Sequence, residues 1–117
     1  MPYIKQIARR RLERTGQPKT AGELNYVFTI ACIESQTKSE LYQRLILSAC
    51  GYVDTNNLSY QIINDILGAL TGANKEYYRR TGTSWDKVFD DVTDAFYNKI
   101  AIAYEEEKIF ENGDVYE

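Results

Sequence analysis

Apolar positions recur at spacings of three and four along most of the chain, which is the period of helices with one buried face. Ile4, Ile7, Ala8 and Leu12 share such a face over residues 3–14, and TGQPKT then interrupts the pattern at Gly16 and Pro18. Thr20-Ala21-Gly22-Glu23 has the form of a capping box, in which the hydroxyl and the carboxylate satisfy backbone N–H groups reciprocally. A second helix is predicted from about Ala21 to Ser35, with Leu24, Val27, Phe28 and Ala31 inward. Ser39 is placed to cap a third helix on Leu41, Leu45, Ile46 and Ala49, with Gly51 at the position of a terminating glycine. Ser59 opens a fourth over Tyr60 to Arg80, whose stripe is Ile62, Ile63, Ile66, Leu67, Leu70, Ala73 and Tyr77. Gly82 ends it, and Thr83 with Asp86 reads as a second capping box. The clearest period follows: Trp85, Val88, Phe89, Val92, Phe96, Ile100 and Ala103.

The pattern changes at the end of the chain. In YEEEKIFENGDVYE, Asn112-Gly113 separates the runs Ile109-Phe110 and Val115-Tyr116, a short-range signal for a hairpin turn. Strands this short do not hold alone in water, so this tail docks on the helices or on another subunit or stays loose, and docking is expected because its apolar residues would otherwise stay in water. The expected fold is all-α: one domain over 1–117, a small bundle of four to five helices with a short C-terminal hairpin or extended arm. Residues 1–19 form a basic N-terminal helix and linker, and 104–117 an acidic tail.

Composition narrows the chemistry. Histidine is absent, which removes the commonest general base and the commonest metal ligand. Cys32 and Cys50 lie in apolar helical surroundings and read as free buried thiols, neither with a thiolate-stabilising neighbour. No catalytic residue, metal or cofactor is expected, and the chain is not read as an enzyme. A net charge of −3 argues against a general nucleic-acid coat. No apolar run has membrane-spanning length, and the basic N-terminal stretch lacks the apolar core of a signal peptide; a cytosolic protein without membrane contact is expected. Ten tyrosines against four phenylalanines favour binding surfaces, since Tyr joins a large ring to a polar tip.

Four groups of residues could carry function. Lys75, Tyr77, Tyr78, Arg79 and Arg80 offer rings for stacking and guanidiniums for bidentate phosphate contact; alternatively Tyr77 is core and the arginines face the negative end of the helix dipole. Arg9, Arg10, Arg11 and Arg14 form a basic patch for nucleic acid or phosphate, or for the acidic run 105–107 of the same or a neighbouring chain, or else a plainly solvated face. Gly68 and Gly72 sit four apart inside a helix, where close helix approach would explain them, and with Ile109, Phe110, Asn112, Gly113, Val115 and Tyr116 they are expected at interfaces. Asp86, Asp90 and Asp94 share one helix face, more simply a solvated surface than a cation site, because one helix supplies few convergent ligands.

Four blocks also occur together: Met1-Pro2-Tyr3-Ile4, GELNYV over 22–27, LSYQIINDILGALTGANKEYYRR over 58–80, and the YEEEKIFENGDVY tail. In this the chain resembles a family of short, uncharacterised bacteriophage and prophage proteins that open MPYI and close on YExxKIxENGDVY. The blocks span somewhat over a third of the chain. Extra residues between Ser35 and Asn57, and a long insert from Thr81 to Ala103, depart from the family pattern. The resemblance implies a phage origin and no catalytic residues. The expected function is that of a non-enzymatic phage accessory protein, with an anti-defence role, binding as a homo-oligomer and sequestering a nucleotide immune signal. An inhibitor or adaptor of a host protein is the alternative, and a nucleic-acid-binding module through Arg9–Arg14 a third.

Overall fold

The computed structural model describes residues 4–15 and 17–113. Helices account for most of them: α1 (Gln6–Thr15), α2 (Ala21–Glu34), α3 (Lys38–Asn56), α4 (Tyr60–Thr81), α5 (Asp86–Phe96) and α6 (Ile102–Asn112). A π-helical turn over Tyr97–Ala101 joins the last two without leaving helical geometry, so α5 and α6 are one interrupted rod and the fold is an all-α bundle of five helices.

The core is largely where the apolar stripes predict it, but Ile7, expected on the inward face of α1, is exposed. Leu24, Phe28 and Ala31 of α2, Leu41, Leu45 and Ala49 of α3, Ile62, Ile63, Ile66, Leu70 and Ala73 of α4, and Val88, Phe89, Val92 and Phe96 of α5 are buried together. α4 lies against α2, α3 and α5, with its most extensive contact on α2. At that crossing Gly72 meets Asn25: a Cβ at Gly72 would collide with the Asn25 amide, whereas one at Gly68 would point into open space. Only Gly72 therefore serves close helix approach within the chain. Gly68→Ala is expected to stabilise the protein by about 0.5–1 kcal/mol, the usual helix-propensity gain, while Gly72→Ala loses that gain to the displaced Asn25. Urea unfolding midpoints of the two variants decide this.

Local signals explain where the helices begin and end. The Glu23 N–H donates to Thr20 Oγ1 at 3.2 Å, as predicted, but the Glu23 carboxylate accepts from Lys19 N–H at 2.8 Å, one residue before the expected partner. The same device recurs at α3, where Thr37 and not Ser39 is the cap: Glu40 N–H donates to Thr37 Oγ1 at 3.1 Å, and Gln36 N–H to Glu40 Oε2 at 3.2 Å. Thr37 wins because it has Glu40 three residues on, the second half of the box. Gly51 does not end α3. The helix runs on to Asn56 because it buries Tyr52, whose hydroxyl donates to Asp65 Oδ2 of α4 at 3.0 Å. Gly82 closes α4 as predicted, at φ 73°, with its N–H on the Tyr78 carbonyl at 2.8 Å.

The second predicted capping box does not form. Thr83 turns back on Thr81, hydroxyl to hydroxyl at 3.0 Å, and Asn74 of α4 serves the start of α5 in its place. Asn74 Oδ1 accepts from Trp85 N–H at 3.4 Å and its amide donates to Asp86 Oδ1 at 2.6 Å.

The predicted hairpin is also replaced. Ile109, Phe110 and Asn112 belong to α6, and Gly113, at φ 83°, donates its N–H to the Ile109 carbonyl at 2.8 Å. Asn-Gly signals positive φ, and that conformation ends a helix as readily as it turns a hairpin. A helix satisfies its backbone locally, whereas two short strands would need a third. Val115 and Tyr116 lie outside the described residues.

Candidate functional site

The Lys75–Arg80 cluster occupies the last turns of α4. Tyr77 points inward and lies 6.3 Å, centroid to centroid, from the Trp85 ring, tilted by 30°, while Trp85 Nε1–H donates to the Cys32 carbonyl at 3.2 Å. That ring belongs to the structure's packing. Arg79 and Arg80 converge on Glu76, a side chain only 6% exposed. The Arg79 guanidinium donates to it at 2.9 and 3.3 Å and Arg80 Nε–H at 2.7 Å. Hydrogen bonds from Arg79 and then Arg80 hold the Glu76 carboxyl down at about 2, below its ordinary 4.5. What remains toward solvent on this side is a shallow concavity of about 320 Å³ lined by Asn74, Lys75, Tyr78, Ser84 and Asp86.

A depressed carboxyl stabilises the fold above its unfolded pKa, and the contribution disappears as pH falls through the folded value. The melting temperature of the wild type is accordingly expected to drop between about pH 4.5 and about 2, and Glu76→Gln to show a flatter profile over the same window. Thermal denaturation at stepped pH measures both.

The basic patch on α1 has a different setting. Leu12 is the one buried side chain among the described residues of α1, and Arg11 clamps the helix to α2 through an ion pair with Glu23, the same carboxylate that caps α2. This arrangement leaves Arg9, Arg10 and Arg14 exposed. Between α1 and α2 lies a concavity of about 250 Å³ lined by Gln6, Arg9, Arg10, Glu13 and Tyr26. Glu13 and Tyr26 also border a larger cavity of about 500 Å³, with Leu12, Val27 and Ile30 as its apolar lining and Glu34 and Arg44 at its rim. Arg44 donates to Glu34 at 3.0 Å, which ties the rim of α3 to α2. The two cavities thus share Tyr26 and Glu13 in their linings: Arg9 and Arg10 border the smaller one and an apolar trough forms the larger.

Such a groove can accept a flat ring against Tyr26 and an anion at Arg9 and Arg10, whose forked donors match phosphate oxygens. Tyr26, Glu13 and Arg44 are absent from the sequence-based candidates, because nothing local shows that α1 folds back along α2. The signal available was Tyr26 itself, a half-buried aromatic on the edge of the inward stripe Leu24–Phe28.

The remaining candidates separate. Asp86, Asp90 and Asp94 are exposed, Asp86 is engaged by Asn74, and Lys87 pairs with Asp91 at 2.9 Å. Among the described residues no three Cys, Asp or Glu side chains are grouped to hold a metal ion. Cys32 is buried, and burial pushes its thiol up to about 12; Cys50 is exposed, against the expectation of two buried thiols, because it follows buried Ala49 on the outer side of α3. Maleimide treatment of the native protein is expected to add one label, at Cys50, and two after unfolding, as read by intact mass. No helix among the described residues is long and apolar enough to cross a membrane.

A family model described as "Domain of unknown function (DUF6899)" matches residues 1–115, and the chain belongs to that family. No curated protein and no solved structure matches it.

Proposed function

We propose that this DUF6899 protein works by binding and not by catalysis, as a phage-encoded accessory protein that captures a small anionic, aromatic ligand of the nucleotide class. A nucleotide used as a host immune signal is the ligand that an anti-defence role would require. The observation carrying this reading is that the two cavities share Tyr26, with Arg9 and Arg10 bordering the smaller and the Leu12–Val27–Ile30 trough forming the larger. A base or nucleoside would lie in the trough and its phosphate on the guanidiniums, where charge-assisted hydrogen bonds are strongest. The Lys75–Arg80 cluster is the weaker candidate for the same ligand, since Tyr77 packs on Trp85 and both arginines are engaged with Glu76.

The test is a thermal-shift screen of mono-, di- and cyclic nucleotides, followed by calorimetry. A ligand held at a hundred times its Kd stabilises by about 2.7 kcal/mol, which raises the melting temperature of a domain this size by on the order of 10 °C. Loss of that shift in Tyr26→Ala, with retention in Arg79→Ala/Arg80→Ala, places the ligand in the groove. No shift with any nucleotide defeats the reading.

A second reading, an inhibitor or adaptor acting on a host protein, is favoured by Tyr60, Tyr78 and Tyr97, all exposed on the outside of the bundle where interfaces concentrate this residue. Binding of nucleic acid through α1 would be marked by affinity falling steeply with salt.

A further inference from the structure

α6 is a helix without an inside. None of its residues is buried, and its own chain supports it chiefly at Tyr104, whose ring meets Tyr60 edge-on at 4.9 Å while the Lys108 ammonium sits 5.4 Å from the Tyr104 centroid. On another side, Ile109 and Phe110 follow Glu106 at three and four residues, and Phe110 is 92% exposed. Together Ile109 and Phe110 leave an apolar surface in water at the end of α6, where a partner can cover it.

α1 supplies the complement. It also has an exposed apolar side chain, Ile7, at 81%, and Arg10 and Arg14 follow it at three and seven residues on the same face. The charges are opposite and matched: α1 carries Arg9, Arg10, Arg11 and Arg14 against Glu13, a net of +3, and α6 carries Glu105, Glu106, Glu107 and Glu111 against Lys108, a net of −3. Among the described residues of one chain α1 rests on α2, and α6 on the π turn before it and on Tyr60, with no extensive contact between α1 and α6.

We infer that α6 is an intersubunit arm, which lays Ile109 and Phe110 over Ile7 of a second copy, with Glu106 facing that copy's Arg14. Exchanged reciprocally, two copies close a two-fold dimer with two identical contacts. Arg10 of this face also lines the groove at Tyr26, but Ile7 and Arg14 do not, so substitutions at Ile7 and Arg14 test the inference separately from the ligand reading.

Size-exclusion chromatography with light scattering tests it through complementary charge reversal, with helicity checked by circular dichroism. Ile7→Glu/Arg14→Glu and Glu106→Lys/Phe110→Lys are each expected to run as monomers, because like charges then face each other. Mixed in equal amounts, they are expected to form a heterodimer, because the acidic α1 of one meets the basic α6 of the other. A wild-type protein that is monomeric over its soluble range overturns the inference. So does an assembly that survives either reversal, and the latter result would give α6 to some other partner.

Discussion

Replacing Phe28 with alanine is expected to cost about 3–5 kcal/mol, against a total stability of roughly 6–17 kcal/mol for a chain of this length. Phe28 is fully buried, on the α2 face that forms the bundle's largest helix contact, with α4. The loss has two parts: the ring's transfer out of water, and a cavity that the other buried side chains of the core can close only in part. The denaturant midpoint should fall steeply while the slope of the transition stays near that of the wild type, since the surface exposed on unfolding hardly changes. A cost below about 1 kcal/mol would mean that the core repacks freely and that the α2–α4 crossing does not anchor the fold.

The second large effect concerns binding. Arg9→Ala/Arg10→Ala is expected to weaken a phosphate-bearing ligand by roughly 10²- to 10⁴-fold, because each charge-assisted hydrogen bond contributes about 1.5–3 kcal/mol. Both side chains are exposed, and the attachment of α1 to the body runs through Leu12 and the Arg11–Glu23 pair, so the variant should melt close to the wild type. Calorimetry and thermal denaturation, run on the same preparation, separate loss of the ligand contact from loss of α1. A ligand that binds the variant as tightly as the wild type would move the anion elsewhere, with Lys75 and the α4 arginines as the next place to look.

Much of the fold could be read from the chain because helical periodicity is a local property. Most of the stripes of α2, α4 and α5 is buried as the spacing predicts, although Val27 lines the groove instead and Ala103 is exposed, and Thr20, Ser59 and Gly82 act as the signals they resemble. The misreadings share a cause, which is that local signals are ambiguous until tertiary contacts select among them. Gly51 reads as a stop, but burial of Tyr52 carries α3 past it. Thr83 reads as a cap, but Asn74, on another helix, reaches the site first. Asn112-Gly113 encodes positive φ without saying whether a helix or a strand precedes it.

The candidate site was less legible. Arg9 and Arg10 could be recognised as a basic patch, but their neighbours Tyr26 and Arg44 come from two other helices. Arg79 and Arg80 looked better as ligands in the sequence than they do in the structure, because the buried carboxylate they share, Glu76, reads there as one more surface acid on a polar stretch of α4. Burial of a charge is a tertiary fact, and it changes which arginines have a partner already.

Native mass spectrometry of the protein, purified gently from the cells that produce it, tests the central claim most directly. The account predicts extra mass of nucleotide size on each groove, stoichiometric in the wild type and absent from Arg9→Ala/Arg10→Ala. A wild-type protein that carries no such mass, and takes up none from a nucleotide extract of the same cells, contradicts it.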